Sequence, residues 1–205
     1  MGIYQDQFLP RFTNKVMDRR DLQPIRDRVC AGLTGDVLEI GFGSGLNLPH
    51  YPPDVARLRA VDPATLGRRL AAARVAASPV PVEYVGLDGQ AIPLDSASVD
   101  HVVSTWTLCT IPDIAAALTE IRRVLKPDGV FLFAEHGHSP DAGVARWQER
   151  LEPLEKRVVG GCHLTRRIDE SIEGAGLVID QLDTYYAKGV PKPWGYTFEG
   201  RAGKG

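Results

Sequence analysis

Residues 37–45 read Val37-Leu38-Glu39-Ile40-Gly41-Phe42-Gly43-Ser44-Gly45, an apolar strand that runs into a glycine turn and a helix start. Glycine at 41, 43 and 45 permits a tight turn and lets a ligand approach main-chain N–H groups that a Cβ would shield. Glu39 bears on what that ligand is. A pyrophosphate beside it meets like charge, whereas an ammonium or a ribose hydroxyl donates to it. The dinucleotide fingerprint G-x-G-x-x-G also follows a strand and also expects an acidic residue about 20 positions on, which Asp62 supplies. Its third glycine would fall on Leu46, however, and the glycine present is Gly45. The pattern is E-x-G-x-G-x-G, and taken alone a glycine-rich turn is weak evidence, since a plain structural turn can also carry it.

Three further features join it. Asp62 ends the segment Leu58-Arg59-Ala60-Val61 and precedes Pro63, so it stands at the carboxyl tip of a second strand, where a carboxylate can hold two ribose hydroxyls. Asp before Pro is also a good helix N-cap. Asp88-Gly89 follows the run Val82 to Val85 and offers a carboxylate and an N–H to the amino edge of an adenine, or an ordinary turn. Leu125-Lys126-Pro127-Asp128-Gly129 reads as a helix stop and turn feeding the strand Val130 to Phe133.

Strand-like runs at 37–40, 58–61, 82–85, 99–104 and 130–135 alternate with helix-like ones, which predicts a parallel, doubly wound sheet. Ile114, Ala117, Leu118, Ile121 and Leu125 recur at helical spacing and predict a crossover helix with one buried face. In the tail, Leu177 to Tyr186 and Trp194 to Phe198 flank a Pro/Gly-rich connection, and so short a return implies an antiparallel pair.

The chain has 205 residues, 43% of them hydrophobic, and a formal net charge of −2. That length buries a full α/β core without staples, organised here as a helical cap over residues 1–34 and one compact unit over 35–205. Without a Lys/Arg block the surface does not suit nucleic acid. No run of about 18 apolar residues and no secretory leader occurs, so neither a membrane span nor export is expected and the location expected is cytoplasmic. The three cysteines, Cys30, Cys109 and Cys162, are an odd number without metal-ligand spacing and suit a reducing compartment. Tyr4, Phe8 and Phe12 can cap a site, although Pro10 interrupts a continuous helix there and packing is the simpler role.

Substrate contacts are expected between His136 and Thr165, beyond the carboxyl end of the fifth strand, where open α/β sheets bind ligands. Val144, Trp147, Leu151, Leu154 and Val158 trace an apolar stripe, either a core face or a hydrophobic lid over a small acceptor. Gly160-Gly161-Cys162-His163 then forms a flexible turn. Glu135, His136, His138, Cys162 and His163 have ligand chemistry, but their spacing matches no common zinc pattern, so no metal is expected. Cys109 reads as a small core residue, and Trp106 as packing or as a wall of the acceptor pocket.

Together these residues resemble the class I S-adenosylmethionine-dependent methyltransferases, from about Gly35 to the carboxyl terminus. The resemblance implies an α/β, Rossmann-like, doubly wound seven-stranded sheet, mostly parallel, with one antiparallel strand at the carboxyl-terminal edge. It implies S-adenosylmethionine as cofactor, bound by Glu39, Gly41, Gly43, Gly45, Asp62, Pro63, Asp88, Gly89 and Thr105. In that family the glycine loop wraps the methionine and ribose part, the Asp62 position binds ribose, and the Asp88-Gly89 position faces adenine. Within the class, Thr107-Leu108-Cys109, Glu135-His136 and Gly161-Cys162-His163-Leu164-Thr165-Arg166 look like the methyltransferase-like thiol S-methyltransferases. Animal members of that group carry an amino-terminal membrane anchor, from which Met1-Gly2-Ile3-Tyr4-Gln5-Asp6 departs. The implied reaction is methylation of a small-molecule thiol or sulfide by in-line displacement. His136 and His163 would act as base or thiolate positioners, with Trp106, Cys109, Trp147 and Cys162 in the acceptor pocket. O- or C-methylation of a phenol or quinone precursor is the alternative, and a non-catalytic cofactor-binding module is another. Ser104-Thr105-Trp106-Thr107 stands where an Asn/Asp-Pro-Pro-Tyr/Phe run would serve the planar amine of a base, which disfavours that acceptor.

Overall fold

The computed structural model describes residues 8–205 and holds one seven-stranded sheet in the order β3-β2-β1-β4-β5-β7-β6. The strands are β1 (Gly35–Ile40), β2 (Val55–Val61), β3 (Val82–Gly86), β4 (Val99–Thr105), β5 (Leu125–His136), β6 (Leu177–Tyr186) and β7 (Tyr196–Lys204). Pairings among the first five are parallel. β7 is antiparallel to both its neighbours, so it is the one reversed strand, as expected. It lies one place in from the edge, with β6 outside it, because the antiparallel return from β6 lands between β6 and β5.

The helices are α1 (Leu9–Met17), α2 (Gln23–Cys30), α3 (Thr65–Ala77), α4 (Ile114–Val124), α5 (Ala142–Val158), α6 (Ile168–Gly174) and the single turn α7 (Lys192–Gly195). The period of two along each strand divides the core between the sheet's faces. Leu38, Ile40, Val102, Phe131 and Phe133 pack with Ala117, Leu118 and Ile121 of α4 and Ile168 and Ile172 of α6. Val37, Leu58, Ala60, Val103 and Ala134 pack with Ile25, Val29 and Cys30 of α2 and Ala71 of α3. Glu39 shares its face with Val37 and therefore points toward α2. The sheet order reverses between β1 and β4, and their carboxyl ends open the crevice in which such folds bind ligands.

Local readings shift in four places. Leu125 to Gly129 does not stand apart as a turn: it is the irregular start of β5, with Leu125 paired to Val99 and regular register resuming at His101 and Val130. Trp194 belongs to α7 and β7 begins at Tyr196. Pro10 occupies the first turn of α1, where its missing N–H costs no helical bond, so it starts that helix. On α5 the expected stripe is largely turned out: Trp147 is 56% and Leu154 58% exposed, while Ala145, Gln148 and Glu155 are buried. The reason is what lies beneath. Gln148 accepts from the Ser139 N–H at 2.9 Å and donates to the carbonyls of Gly137 and Pro193 at 2.9 and 3.0 Å, so α5 covers loop backbone, which needs hydrogen bonds. No helix among the described residues is long and apolar enough to cross a membrane.

Candidate active site

A cavity of about 1050 Å³ opens at the carboxyl ends of β1, β2 and β4. Glu39, Gly41, Gly43, Asp62, Pro63, Asp88, Gly89 and Thr105 line it, as do Trp106, Cys109, His136 and Cys162. Gly45 does not; with φ +73° it turns the chain toward the 3-10 turn Leu48–His50. Helix α1 closes one side through Leu9, Phe12, Thr13 and Met17, and Asn14 Oδ1 accepts from the Ser44 hydroxyl at 2.5 Å. Phe12 thus lies at the site, Phe8 stacks on it with ring centroids 6.2 Å apart, and Tyr4 is outside the described residues.

The glycine loop is held differently from the expectation. Gly41 and Phe42 donate their N–H groups to Val61 O, Gly45 donates to Phe42 O, and Gly43 donates to Asp62 Oδ2 at 2.7 Å. These four donors are already satisfied, so the loop is no phosphate nest. What it offers is close approach: a Cβ on Gly43 would meet nothing nearer than 3.8 Å, and Gly67 of α3 is so close to Gly43 O that a Cβ there would stand 2.8 Å away. Asp62 is not the helix N-cap either, since α3 is capped at Ala64. Its Oδ1 accepts from the Ala64 N–H at 2.7 Å, so each carboxylate oxygen takes one backbone bond and keeps a lone pair for a hydroxyl. Asp88 is exposed, and its Oδ1 accepts from the backbone and side-chain nitrogens of Gln90.

Beneath the loop lies a buried polar network that the sequence reading missed. Asn47 Nδ2 donates to Glu39 Oε1 and the Tyr51 hydroxyl to Oε2, both at 2.8 Å. Arg26, 3% exposed, donates to Asn47 Oδ1 at 2.5 Å and to Met17 O at 3.2 Å. It also lies over the Trp106 ring, 4.8 Å from its centroid. Thr105 Oγ1 accepts from Asn47 at 3.1 Å. Burial, above all, pushes the Glu39 carboxyl up to about 7 against the two hydrogen bonds and the Arg26 charge. Trp106 has φ +50°, a strained conformation for so large a residue that is held by its N–H to Ala134 O at 2.9 Å and concentrates at functional sites. One signal for Arg26 was available: it stands at helical spacing from Val29 and Cys30, on the face of α2 that packs beneath Glu39.

Elsewhere in the cavity wall three segments converge. His136 ends β5, Cys109 sits in the turn after β4, and Cys162 in the turn after α5. The Sγ atoms and a His136 ring nitrogen all lie within 4.8 Å of one another, with Nε2 3.0 Å from Cys162 Sγ. All three cysteines are free. Cys109 is a buried core residue, as expected, packed with Cys162 and Leu164, and it also lines the cavity; spacing along the chain did not disclose the cluster. Hydrogen bonding from Cys109 foremost, and then His136, draws the Cys162 thiol well below its usual range despite burial, while Cys109 is pushed up. Burial is the largest influence on His136 and opposes its charge, but the bond to Cys162 and the nearby Cys162, Glu135 and Glu155 together raise its pKa.

Two expected site residues are elsewhere. Trp147 lies on the outer face of α5, with Arg150 over its ring, because the inward face is the one that hydrogen-bonds to loop backbone. His163 does not line the cavity: its backbone N–H and its ring Nδ1 both reach Cys109 O, at 2.8 and 3.1 Å, tying the turn after α5 to the turn after β4. His138 is likewise outside the cavity lining, its N–H donating to Arg166 O.

The sequence profile of a methyltransferase domain matches residues 38–133. The chain is 35% identical to rat thiol S-methyltransferase TMT1B over 72% of its own length and 62% of that protein's. It is 32% identical to human thiol S-methyltransferase TMT1A over 82% of its own length and 72% of the relative's. The chain thus spans about three fifths of the length of rat TMT1B. Among solved structures, geranyl diphosphate methyltransferase in complex with S-adenosylmethionine superposes with a TM-score of 0.70 at 11% identity, covering 90% of this chain and 85% of that one, a likeness of fold alone. With sheet order, glycine loop, carboxylate positions and these relatives in agreement, the chain belongs to the class I S-adenosylmethionine-dependent methyltransferases, in the family of the thiol S-methyltransferases.

Proposed function

We propose that this chain methylates the sulfur of a small, fairly apolar thiol. The observation that carries the reading is a cluster in the cavity wall. There Cys109, His136 and Cys162 meet, each from one of the three segments that resemble the thiol S-methyltransferases, with Val159 and Trp194 packed against the two cysteines. The cavity exceeds the roughly 300–1,000 Å³ of an ordinary ligand pocket, which leaves room for a cofactor and a small acceptor together.

S-Adenosylmethionine, when bound, supplies an electrophilic methyl group on a sulfonium sulfur. The residues fit it: carboxylates in place of a phosphate nest suit a cationic nucleoside, and Gly43 admits close approach. Asp62 holds the ribose hydroxyls through its spare lone pairs, Asp88 and Gly89 face the adenine, and Glu39, backed by Asn47 and Thr105, attracts the amino acid end. Gly41, Gly45 and Pro63 shape the loop around it. Helices α1 and α2 act as a cap that keeps water from the reacting sulfur. Holding acceptor and methyl donor aligned in such a dry site can supply about 7–11 kcal/mol of the barrier. His136 acts at the acceptor end through Nε2, and Trp106 forms the wall between the two halves.

Glu39 gives this reading a pH signature. Its ordinary value is 4.5 and its folded value about 7, so across that window the folded chain holds a proton that the unfolded chain has lost. The stability of the cofactor-free protein therefore falls as pH rises from 4.5 to 7 and levels off above. Cofactor binding to the ionised carboxylate runs the opposite way. Affinity for S-adenosylmethionine is expected to rise about tenfold between roughly pH 5.5 and 7. Glu39→Gln should flatten that profile and weaken binding by about ten- to a hundredfold, the worth of a charge-assisted hydrogen bond. Calorimetric titrations at several pH values check this; identical profiles for the two proteins would remove Glu39 from the cofactor site.

The acceptor is tested by transfer of a labelled methyl group to hydrogen sulfide, an alkyl thiol, a catechol and a hydroquinone. Thioether from the alkyl thiol is the expected product. Methylated catechol or hydroquinone, with nothing from the thiols, would overturn the thiol reading while keeping the cofactor.

A further inference from the structure

We propose that Cys109, His136 and Cys162 form a three-ligand Zn²⁺ site whose fourth position faces the cavity and takes the acceptor thiol as a thiolate. The second half of this inference rests on the S-methylation reading above; the first half stands on the geometry of the ligands.

The donor set is soft. Two thiols and an imidazole select Zn²⁺ over the hard, oxygen-preferring cations, and three protein ligands with one open position distinguish zinc sites that bind substrate from closed structural ones. The three atoms lie within 4.8 Å of one another. Tetrahedral zinc with Zn–S of about 2.3 Å and Zn–N of about 2.0 Å needs edges of roughly 3.8 Å between sulfurs and 3.5 Å between sulfur and nitrogen. The pair Cys162 Sγ and His136 Nε2, at 3.0 Å, must open by about half an ångström to meet that edge, a small side-chain rotation. Before an acceptor binds, two thiolates neutralise a divalent cation, as burial requires.

Each ligand comes from a different element, and the supports are local. His163 ties the Cys162 turn to Cys109 O through two bonds, and Arg166 donates to Leu108 O and Pro112 O, fixing the turn that carries Cys109. His136 Nδ1 is buried without a hydrogen-bond partner, and Nε2, 3.0 Å from Cys162 Sγ, is the ring nitrogen turned to the cluster. His163 is thus a positioning residue. All three ligands line the cavity, which supplies the entry path for metal and acceptor alike. On coordination the acceptor S–H bond breaks, its proton passes to bulk water, and a Zn–S bond forms. The sulfur keeps a lone pair free, so no protein base has to be poised for the thiol.

The test uses the full chain, freed of metal by chelator and kept reduced, titrated with Co²⁺ as a spectroscopic stand-in for Zn²⁺. One equivalent should bring up thiolate-to-cobalt charge-transfer bands and the strong visible bands of a tetrahedral centre. Cys109→Ser, Cys162→Ser and His136→Asn should each weaken cobalt binding by more than about a hundredfold, beyond the loss of an outer partner, while Cys30→Ala keeps the bands. Calorimetric binding of S-adenosylmethionine, which all four variants should retain, separates loss of the metal site from loss of the fold. An alkyl thiol added to the cobalt protein should shift the visible bands. Reduced, cofactor-binding protein that takes up no cobalt would overturn the metal site, and thiol methylation by that same protein would show the S-methylation reading standing without it. Cobalt bands that an alkyl thiol leaves unmoved would overturn the fourth-position assignment.

Discussion

Replacing Gly41 by Ala is expected to cost about 2–5 kcal/mol of stability and to abolish measurable binding of S-adenosylmethionine. Gly41 has φ +76°, and a Cβ there would stand 1.9 Å from Thr107 Oγ1, 2.3 Å from Cγ2 and 2.6 Å from Cβ. Turning the threonine to another rotamer leaves its Cβ in the way. The backbone of Thr107 cannot retreat freely, because its N–H donates to the buried Glu135 Oε1 at 3.0 Å and its hydroxyl to Thr105 O at 3.1 Å. The left-handed conformation alone costs an alanine roughly 1–2 kcal/mol, and overpacking adds about 1–3 kcal/mol. What must move is the gap between the ends of β1 and β4, which is the mouth of the cofactor crevice. At about 2–4 °C per kcal/mol for a chain of this length, thermal melting should show the first effect and calorimetric titration the second. An alanine variant that melts and binds as the parent does would refute this account of the loop.

The second large effect is expected at Arg26. Its guanidinium is buried, and burial holds its pKa below the usual value. It is the cation nearest the Glu39 network and supports Asn47, Met17 O and the Trp106 ring at once. Arg26 reaches Glu39 through Asn47, and removing a buried charge's counter-charge leaves it uncompensated, at a cost of up to about 3–5 kcal/mol. Arg26→Ala should therefore lower stability by about that amount near pH 8, and by less in mildly acidic solution. The sign follows from Glu39: its folded carboxyl is raised to about 7 and rises further without the arginine, so at low pH it is neutral and needs no counter-charge. Denaturant unfolding at the two pH values checks the difference. An equal loss at both would mean that Arg26 acts by packing on Trp106 alone.

Some of the site was legible in the residues because it is local in the chain. The turn at Gly41 to Gly45, Asp62 at the next strand tip and Asp88-Gly89 after the third all follow from strand ends, and strand ends show in the alternation of apolar runs. The sheet itself was legible for the same reason, down to the antiparallel return from β6 to β7. Readings failed where a residue's role depends on what crosses it. Trp147 looked buried by helical period, but α5 lies over loop backbone, so its inner face is Gln148 and Glu155. Asp62 looked like a helix cap, but its oxygens hold Gly43 and Ala64. His163 looked like a base, but its ring bonds a carbonyl.

The order of elements, the glycine turn, the carboxylates at the strand tips and membership in the methyltransferase class are properties of short stretches, and the amino-acid sequence alone determined them. Arg26 linked through Asn47 to Glu39, and Cys109, His136 and Cys162 against one another, join residues 13 to 53 positions apart. Only the tertiary structure decided these, because winding the chain on both sides of β1 and β4 is what brings α2 beneath the glycine loop and folds the turn after α5 onto the end of β5.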